Sequence, residues 1–193
     1  ALGLRYGSDE AIQHAVEVHK SLAINAYRSS VEMARERGAF PIFDPKREKE
    51  NPFINRLRDA DPELYEDMVR YGRRNIALLT IAPTGTTAIV CDVTSGIEPM
   101  FSPVHERRFY EGAELKMEKV VHPLLQKFLS QGRPIDHFQG TFDISLRDHF
   151  EVQRTCQRHL DNACSKTINL PQGTSEDELS DLYMEFFPDL KGV

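Results

Sequence analysis

The stretch Ile76-Ala77-Leu78-Leu79-Thr80-Ile81-Ala82-Pro83-Thr84-Gly85-Thr86-Thr87-Ala88-Ile89-Val90-Cys91 decides the fold class. Its first seven residues form a short run, apolar on both faces and closed by a proline. That is the pattern of a parallel strand covered on both sides. Pro83 to Thr87 turns out of the strand, and Ala88 to Cys91 reads as the start of a short helix. Strand, tight turn and helix in that order are a unit of α/β architecture.

The surrounding sequence repeats the alternation. Upstream, residues 8–37 read as one long helix, with Ser8 as N-cap, Asp9 and Glu10 in the first turn and Gly38 just past the end. Ile12, Ala15, Val16, His19, Leu22, Ala23, Ala26 and Tyr27 recur at three- and four-residue steps along it. A loop carrying Pro41, Pro45 and Pro52 follows, its charged run from Lys46 to Glu50 exposed, and Asp61-Pro62 opens a short helix that ends near Gly72. Downstream, Ser95-Gly96 marks a turn and Val104 to Tyr110 is extended. Val120 to Leu129 has helical spacing and stops at Gly132. A longer helix is expected from Leu146 to Ala163, with Leu146, Phe150, Cys156, Leu160 and Ala163 inward, then a strand from Lys166 to Leu170 closed by Pro171. Ser175 and Glu178 form a capping box for a last helix whose inward face is Leu179, Leu182, Tyr183 and Phe186. There is no internal repeat or low-complexity tract. The expected fold is α/β with parallel strands.

The 193 residues carry a formal charge of -6, with 40% hydrophobic and 28% charged residues. No window approaches ~18 consecutive apolar residues, so a transmembrane helix is not expected. The acidic balance argues against nucleic acid as a partner, because that affinity rests on clustered Lys and Arg. The basic patches Arg35 to Arg37, Arg73-Arg74 and Arg107-Arg108 each adjoin acids or apolar residues and read as solvated or ion-paired. Cys91, Cys156 and Cys164 are odd in number and form no Cys-x-x-Cys, so neither a disulfide scaffold nor a zinc site is expected. Reduced thiols in a cytoplasmic protein are the simplest reading. A chain that opens on Ala1, without initiator methionine or signal peptide, and closes on Leu190-Lys191-Gly192-Val193 is expected to be cut from a longer one.

The strand–turn–helix junction is the best place for chemistry. A helix N-terminus offers unpartnered N–H groups and the positive end of its dipole. Gly85 lets a ligand come close to the backbone, and Thr84, Thr86 and Thr87 add hydroxyls. Local chemistry leaves two readings open, a phosphate cradle and an ordinary capped turn. It is not a nucleotide P-loop, since no Gly-Lys pair follows. Glu98, in Ser95-Gly96-Ile97-Glu98-Pro99, either lines the same pocket or is a turn acid. Cys91 is expected to be a buried, unreactive core residue. The seven histidines show no metal spacing: Phe109 stands where a zincin begun at His105-Glu106 needs its second histidine. His149 and His159, on one helix, read as structural. No catalytic residue is assigned.

Arg74-Asn75 through Thr87, followed by Ser95-Gly96-Ile97-Glu98-Pro99-Met100-Phe101, resembles the large catalytic subunit of ribonucleotide reductase. Ser165-Lys166-Thr167-Ile168-Asn169-Leu170-Pro171 is similar to a second signature of that family, preceded by a matching helix with His149, Gln157 and Asp161. Tyr6, Glu10-Ala11, Ala26-Tyr27 and Gly38-Ala39-Phe40-Pro41 stand in family-like order, so the resemblance covers nearly the whole chain. The wording of both motifs is nearest to the adenosylcobalamin-dependent class, and less near to the class that takes a tyrosyl radical from a di-iron small subunit.

The resemblance implies the C-terminal portion of a ten-stranded α/β barrel, residues 1–193 forming a partial barrel domain incomplete at both ends. It implies that Pro83, Thr84, Gly85, Thr86 and Thr87 hold the substrate phosphates. It implies reduction of ribonucleotides to deoxyribonucleotides by a thiyl radical, with adenosylcobalamin as cofactor, the remainder of the large subunit as partner and thioredoxin or glutaredoxin as reductant. The family's Asn-Pro-Cys-Gly-Glu loop is absent, because the single Asn-Pro (Asn51-Pro52) is followed by Phe53. None of the three cysteines matches a family redox position. The chain alone is therefore expected to be inactive. Alternatives are the di-iron-dependent class, a non-catalytic phosphate-binding α/β module, and one subunit of a split-gene enzyme.

Overall fold

The structure, a computed structural model, describes residues 2–192, without the side chains of Arg107 and Phe109. The expectations for Ala1, Val193 and the Arg107 side chain lie outside that description. Helix α1 (Asp9–Arg37) forms as expected: the Ser8 hydroxyl accepts from Ala11 N–H, acids fill the first turn, and Gly38 leaves the helix with φ +81°. Its buried face is Ala23, Tyr27, Ser30, Val31 and Ala34, whereas Leu22 is exposed.

Two helices stand where a proline-rich loop was expected. In α2 (Pro45–Glu48) and α3 (Pro52–Ala60) each proline sits in the first turn, where its missing N–H costs nothing, and Asp44 and Asn51 cap the free amides. Helix α4 (Pro62–Tyr71) starts at the Asp61 cap and ends at Gly72. Phe53, Ile54 and Leu57 of α3 meet Leu64 and Met68 of α4 and Tyr27 of α1 in one core cluster. Each such side chain contributes about 1.5–3 kcal/mol when fully buried. Arg73, expected to be solvated or ion-paired, is ion-paired and buried. Its guanidinium bonds Glu48 at 2.9 Å and the carbonyls of Asn75 and Ile76.

The expected parallel strands shrink to one bridge. Ile81 pairs in parallel with Cys164, Asn162 N–H donates to Leu79 O, Ile81 N–H to Ala163 O, and Ser165 N–H to Ile81 O. Side chains take the neighbouring backbone groups: the Asp161 carboxylate accepts from Leu78 N–H (2.7 Å) and Leu79 N–H (2.8 Å), and Glu98 accepts from Thr167 N–H (2.6 Å). A ladder cannot extend through donors already used. Ile76 is 60% exposed, so the apolar run is not covered on both faces among the described residues.

The sheet that does form is antiparallel. Strand β1 (Val104–Glu111) matches the extended segment expected there, and it pairs with β2 (Glu114–Val121), from Val104 opposite Val121 to Glu111 opposite Glu114. The tight connection uses Gly112 at φ +67°. Helix α5 (Gly85–Val90) begins three residues earlier than expected, and α6 (Pro123–Ser130) begins after β2 rather than at Val120. Helix α7 (Leu146–Gln157) stops six residues short of Ala163, because Gln157 turns back to bond Asn162 O and Cys164 N–H. His159 thus lies beyond the helix that carries His149.

Helix α8 (Glu176–Phe186) forms without the expected capping box, since the Ser175 hydroxyl makes no cap bond. Leu182 and Phe186 pack on Leu146 and Phe150 of α7, while Tyr183 is 37% exposed. A third cluster joins Val152, Cys156, Leu160 and Cys164 to Tyr6, Ile81 and Ile97. The described chain is thus helix-rich, with one antiparallel hairpin and one parallel bridge, rather than a parallel sheet. No described helix is long and apolar enough to cross a membrane.

Candidate functional site

Three segments that are far apart in sequence meet at the start of α5. Gly96, at φ +50° with its Cα face near Ile81, brings the Ser95–Pro99 turn against the 81–85 segment, and its N–H donates to the Thr84 hydroxyl at 2.9 Å. Glu98 then reaches the third segment: one carboxylate oxygen accepts from Lys166 Nζ (2.7 Å) and the other from Thr167 N–H (2.6 Å). Two adjoining clefts, of about 300 and 270 Å³, share Gly85, Ser95, Glu98 and Thr167 as lining residues.

The five loop residues are not equivalent. Pro83 and Gly85 line the clefts, and Thr84 holds Gly96. Thr86 and Thr87 are exposed on the first turn, outside those two clefts. No side chain caps α5, so the first-turn amides have neither an intrahelical acceptor nor a cap. A Cβ built on Gly85 meets nothing within 4 Å, so the space there is open. At six residues, α5 contributes only a weak dipole, and any anion here would rest on discrete N–H donors.

Lys166 is the electrostatic centre. Its side chain is fully buried, and its three protons go to Glu98, to Thr167 O (2.7 Å) and to His149 Nδ1 (3.1 Å). An ammonium can only donate, so His149 Nδ1 accepts, and His149 Nε2–H must then donate to Thr141 O at 3.1 Å. The imidazole is thereby fixed as the neutral Nε2–H tautomer. Burial pulls His149 below the ordinary histidine range, the Thr141 carbonyl opposes that, and Lys166 adds to it. Burial likewise lowers Lys166, against the opposing pull of Glu98. With Lys166 cancelling its charge, Glu98 can stand beside an anion in the clefts without repelling it.

The sequence reading left Glu98 open and gave no role to Lys166, Thr141 or Asn169. Asn169 donates to the Thr141 hydroxyl at 3.2 Å, and both line the larger cleft. The signal available for Lys166 was a lone charged residue in a segment read as a strand. Cys91 is exposed, contrary to the burial expected from Val90 beside it, because Val90 itself is 81% exposed on the outer side of α5. Burial pushes the Cys156 thiol up to about 12 and the Cys164 thiol up to about 11, so neither is a thiolate near neutral pH. Among the described residues no three His, Cys, Asp or Glu side chains converge as a metal site.

Comparison with known proteins adds family information to this geometry. A family model described as ribonucleotide reductase, barrel domain, matches residues 1–192. The chain is 27% identical over 205 aligned residues to a vitamin B12-dependent ribonucleoside-diphosphate reductase of Mycobacterium tuberculosis (strain CDC 1551 / Oshkosh), covering 95% of this chain and 27% of that protein. A protein of the same name from Thermoplasma acidophilum is 26% identical over 94% of this chain and 24% of its own length. The ribonucleoside-diphosphate reductase subunit alpha of Treponema pallidum is 24% identical over 94% of this chain and 21% of its own. The chain spans about a quarter of the length of these curated relatives. Matched by the family model over nearly its whole length, this chain belongs to the ribonucleotide reductase barrel-domain family.

Proposed function

We propose that this chain is the substrate-phosphate segment of a B12-dependent ribonucleotide reductase that converts ribonucleoside diphosphates to deoxyribonucleotides. The observation that carries this is the meeting of Pro83–Thr87, Ser95–Glu98 and Lys166–Thr167 around two open clefts, tied by the Thr84–Gly96 and Glu98–Lys166 bonds. The first-turn amides of Gly85, Thr86 and Thr87 supply the donors. The neutralised Glu98 fixes the opposite wall. Such preorganised N–H groups position a substrate and stabilise its charge without reorganising when it binds. The barrel of ten strands, the thiyl-radical chemistry and a thioredoxin or glutaredoxin reductant belong to this reading, with the radical cysteine on another part of the protein.

Among the described residues no side chain is assigned to hold cobalamin, and His149 has both ring nitrogens engaged. We therefore derive no step through the cofactor; B12 dependence enters from the relatives' names. The names of other relatives, as subunit alpha, keep the di-iron class as the second reading.

The test is Gly85→Val. Its Cβ meets no neighbour within 4 Å, so the fold accepts it, while its branches fill the space in front of the amides. The full-length protein is expected to lose affinity for ribonucleoside diphosphate by about tenfold or more, with its melting temperature unchanged. Unaltered affinity rules the loop out.

A further inference from the structure

Another concave site shares no lining residue with the clefts beside Gly85. There α1, α3 and the turn after α7 enclose a cleft of about 300 Å³, with Lys20, Arg56, Arg158 and His159 around it. Ala23, Phe53 and Leu57 give it an apolar floor. Asp59, which also lines the cleft, bonds Arg58, and Asp189 pairs with Arg154 and, at 3.1 Å, with Arg158, whose charge is thereby compensated. Among the described residues neither Lys20 nor Arg56 has a carboxylate partner. Arg56 Nε donates to Arg158 O at 2.9 Å, which fixes the guanidinium at the cleft and leaves its terminal nitrogens as donors.

Placing the uncompensated cations Lys20 of α1 and Arg56 of α3 around one hollow raises the free energy of the empty state. His159 registers this: burial first, then His19 and Lys20 of α1, Arg56 of α3 and its neighbour Arg158, hold it below the ordinary histidine range. A dianion in the cleft reverses the sign of that field. The volume is at the small end of ligand sites, and cationic donors over an apolar floor match a ligand with one charged and one apolar end.

We propose that this cleft binds a small phosphate monoester, its dianion held by Lys20 and Arg56 and its organic part lying on Phe53 and Leu57. The probe is phenyl phosphate, titrated calorimetrically into the full-length protein and into its Lys20→Ala and Arg56→Ala variants. Each variant is expected to bind about tenfold more weakly or worse. Both residues are exposed, so the fold should tolerate the changes. Sulfate, dianionic throughout, is expected to bind more tightly at about pH 6 than at about pH 8, because His159 takes up a proton with it. Binding equal to wild type in both variants overturns the proposal. A structure of the full-length protein with a carboxylate of another segment seated on these cations overturns it too.

Discussion

Replacing Lys166 with methionine keeps the length and apolar volume of the stem and removes only the ammonium. Three acceptors lose their donor at once: Glu98, Thr167 O and His149 Nδ1. Breaking a buried ion pair by removing one partner costs about 3–5 kcal/mol. Glu98 retains Thr167 N–H and is 22% exposed on its side chain, so water recovers part of that loss. The expected cost is about 3 kcal/mol, localised where the Ser95–Pro99 and Ser165–Asn169 segments join. Native-state hydrogen exchange with peptide-level mass spectrometry reads it as about a hundredfold faster exchange in both segments. Adding Glu98→Gln to Lys166→Met is expected to restore part of the protection, since the orphaned charge is gone. Phosphate affinity is expected to fall in the single variant, because Glu98 then presents an uncompensated negative charge to the clefts. Exchange within tenfold of wild type in Lys166→Met, or additive effects in the double variant, would show that the pair does not hold the site together.

The remaining predictions concern the same framework. His149 has a folded-state pKa below its unfolded value of about 6.5, so its contribution to stability is complete above that pH and falls as the pH drops through and below it. Melting temperature should therefore decline from about pH 7 to about pH 5, and His149→Gln should flatten that decline. Asp161→Ala removes the acceptor for Leu78 N–H, Leu79 N–H and the Tyr27 hydroxyl. At about 1 kcal/mol, the low end of the range, for each of these part-buried donors left unpaired, denaturant unfolding should show a loss of about 3 kcal/mol. Iodoacetamide near pH 8, followed by mass spectrometry, should modify exposed Cys91 and leave Cys156 and Cys164 unreacted until the protein unfolds. Equal labelling of all three would refute the burial of the last two.

Long amphipathic and capped segments were legible in the sequence. Ser8, Asp9, Glu10 and Gly38 bound α1 because caps and the dipole act within one turn of a helix end. Asp61-Pro62 and Gly72 did the same for α4. Less legible were the elements set by distant partners. Leu78, Leu79 and Thr167 read as strand residues by pattern, but their N–H groups go to Asp161 and Glu98, which lie tens of residues away. Gln157 ends α7 through a side-chain bond that periodicity does not register. Pro45 and Pro52 were expected in a loop, although each occupies a first-turn position, where proline favours helix. At the site, the Pro83–Thr87 loop was visible because glycine and threonine before a helix carry local meaning. Lys166 was not singled out as a functional residue, because its role exists only once Glu98, His149 and Thr167 surround it.

The most direct measurement is a structure of the full-length protein with a ribonucleoside diphosphate bound. The account predicts phosphate oxygens within about 3 Å of the Gly85, Thr86 and Thr87 amides, with the Glu98–Lys166 pair intact beside them. Phosphates bound elsewhere, with the Pro83–Thr87 loop unoccupied, would contradict it.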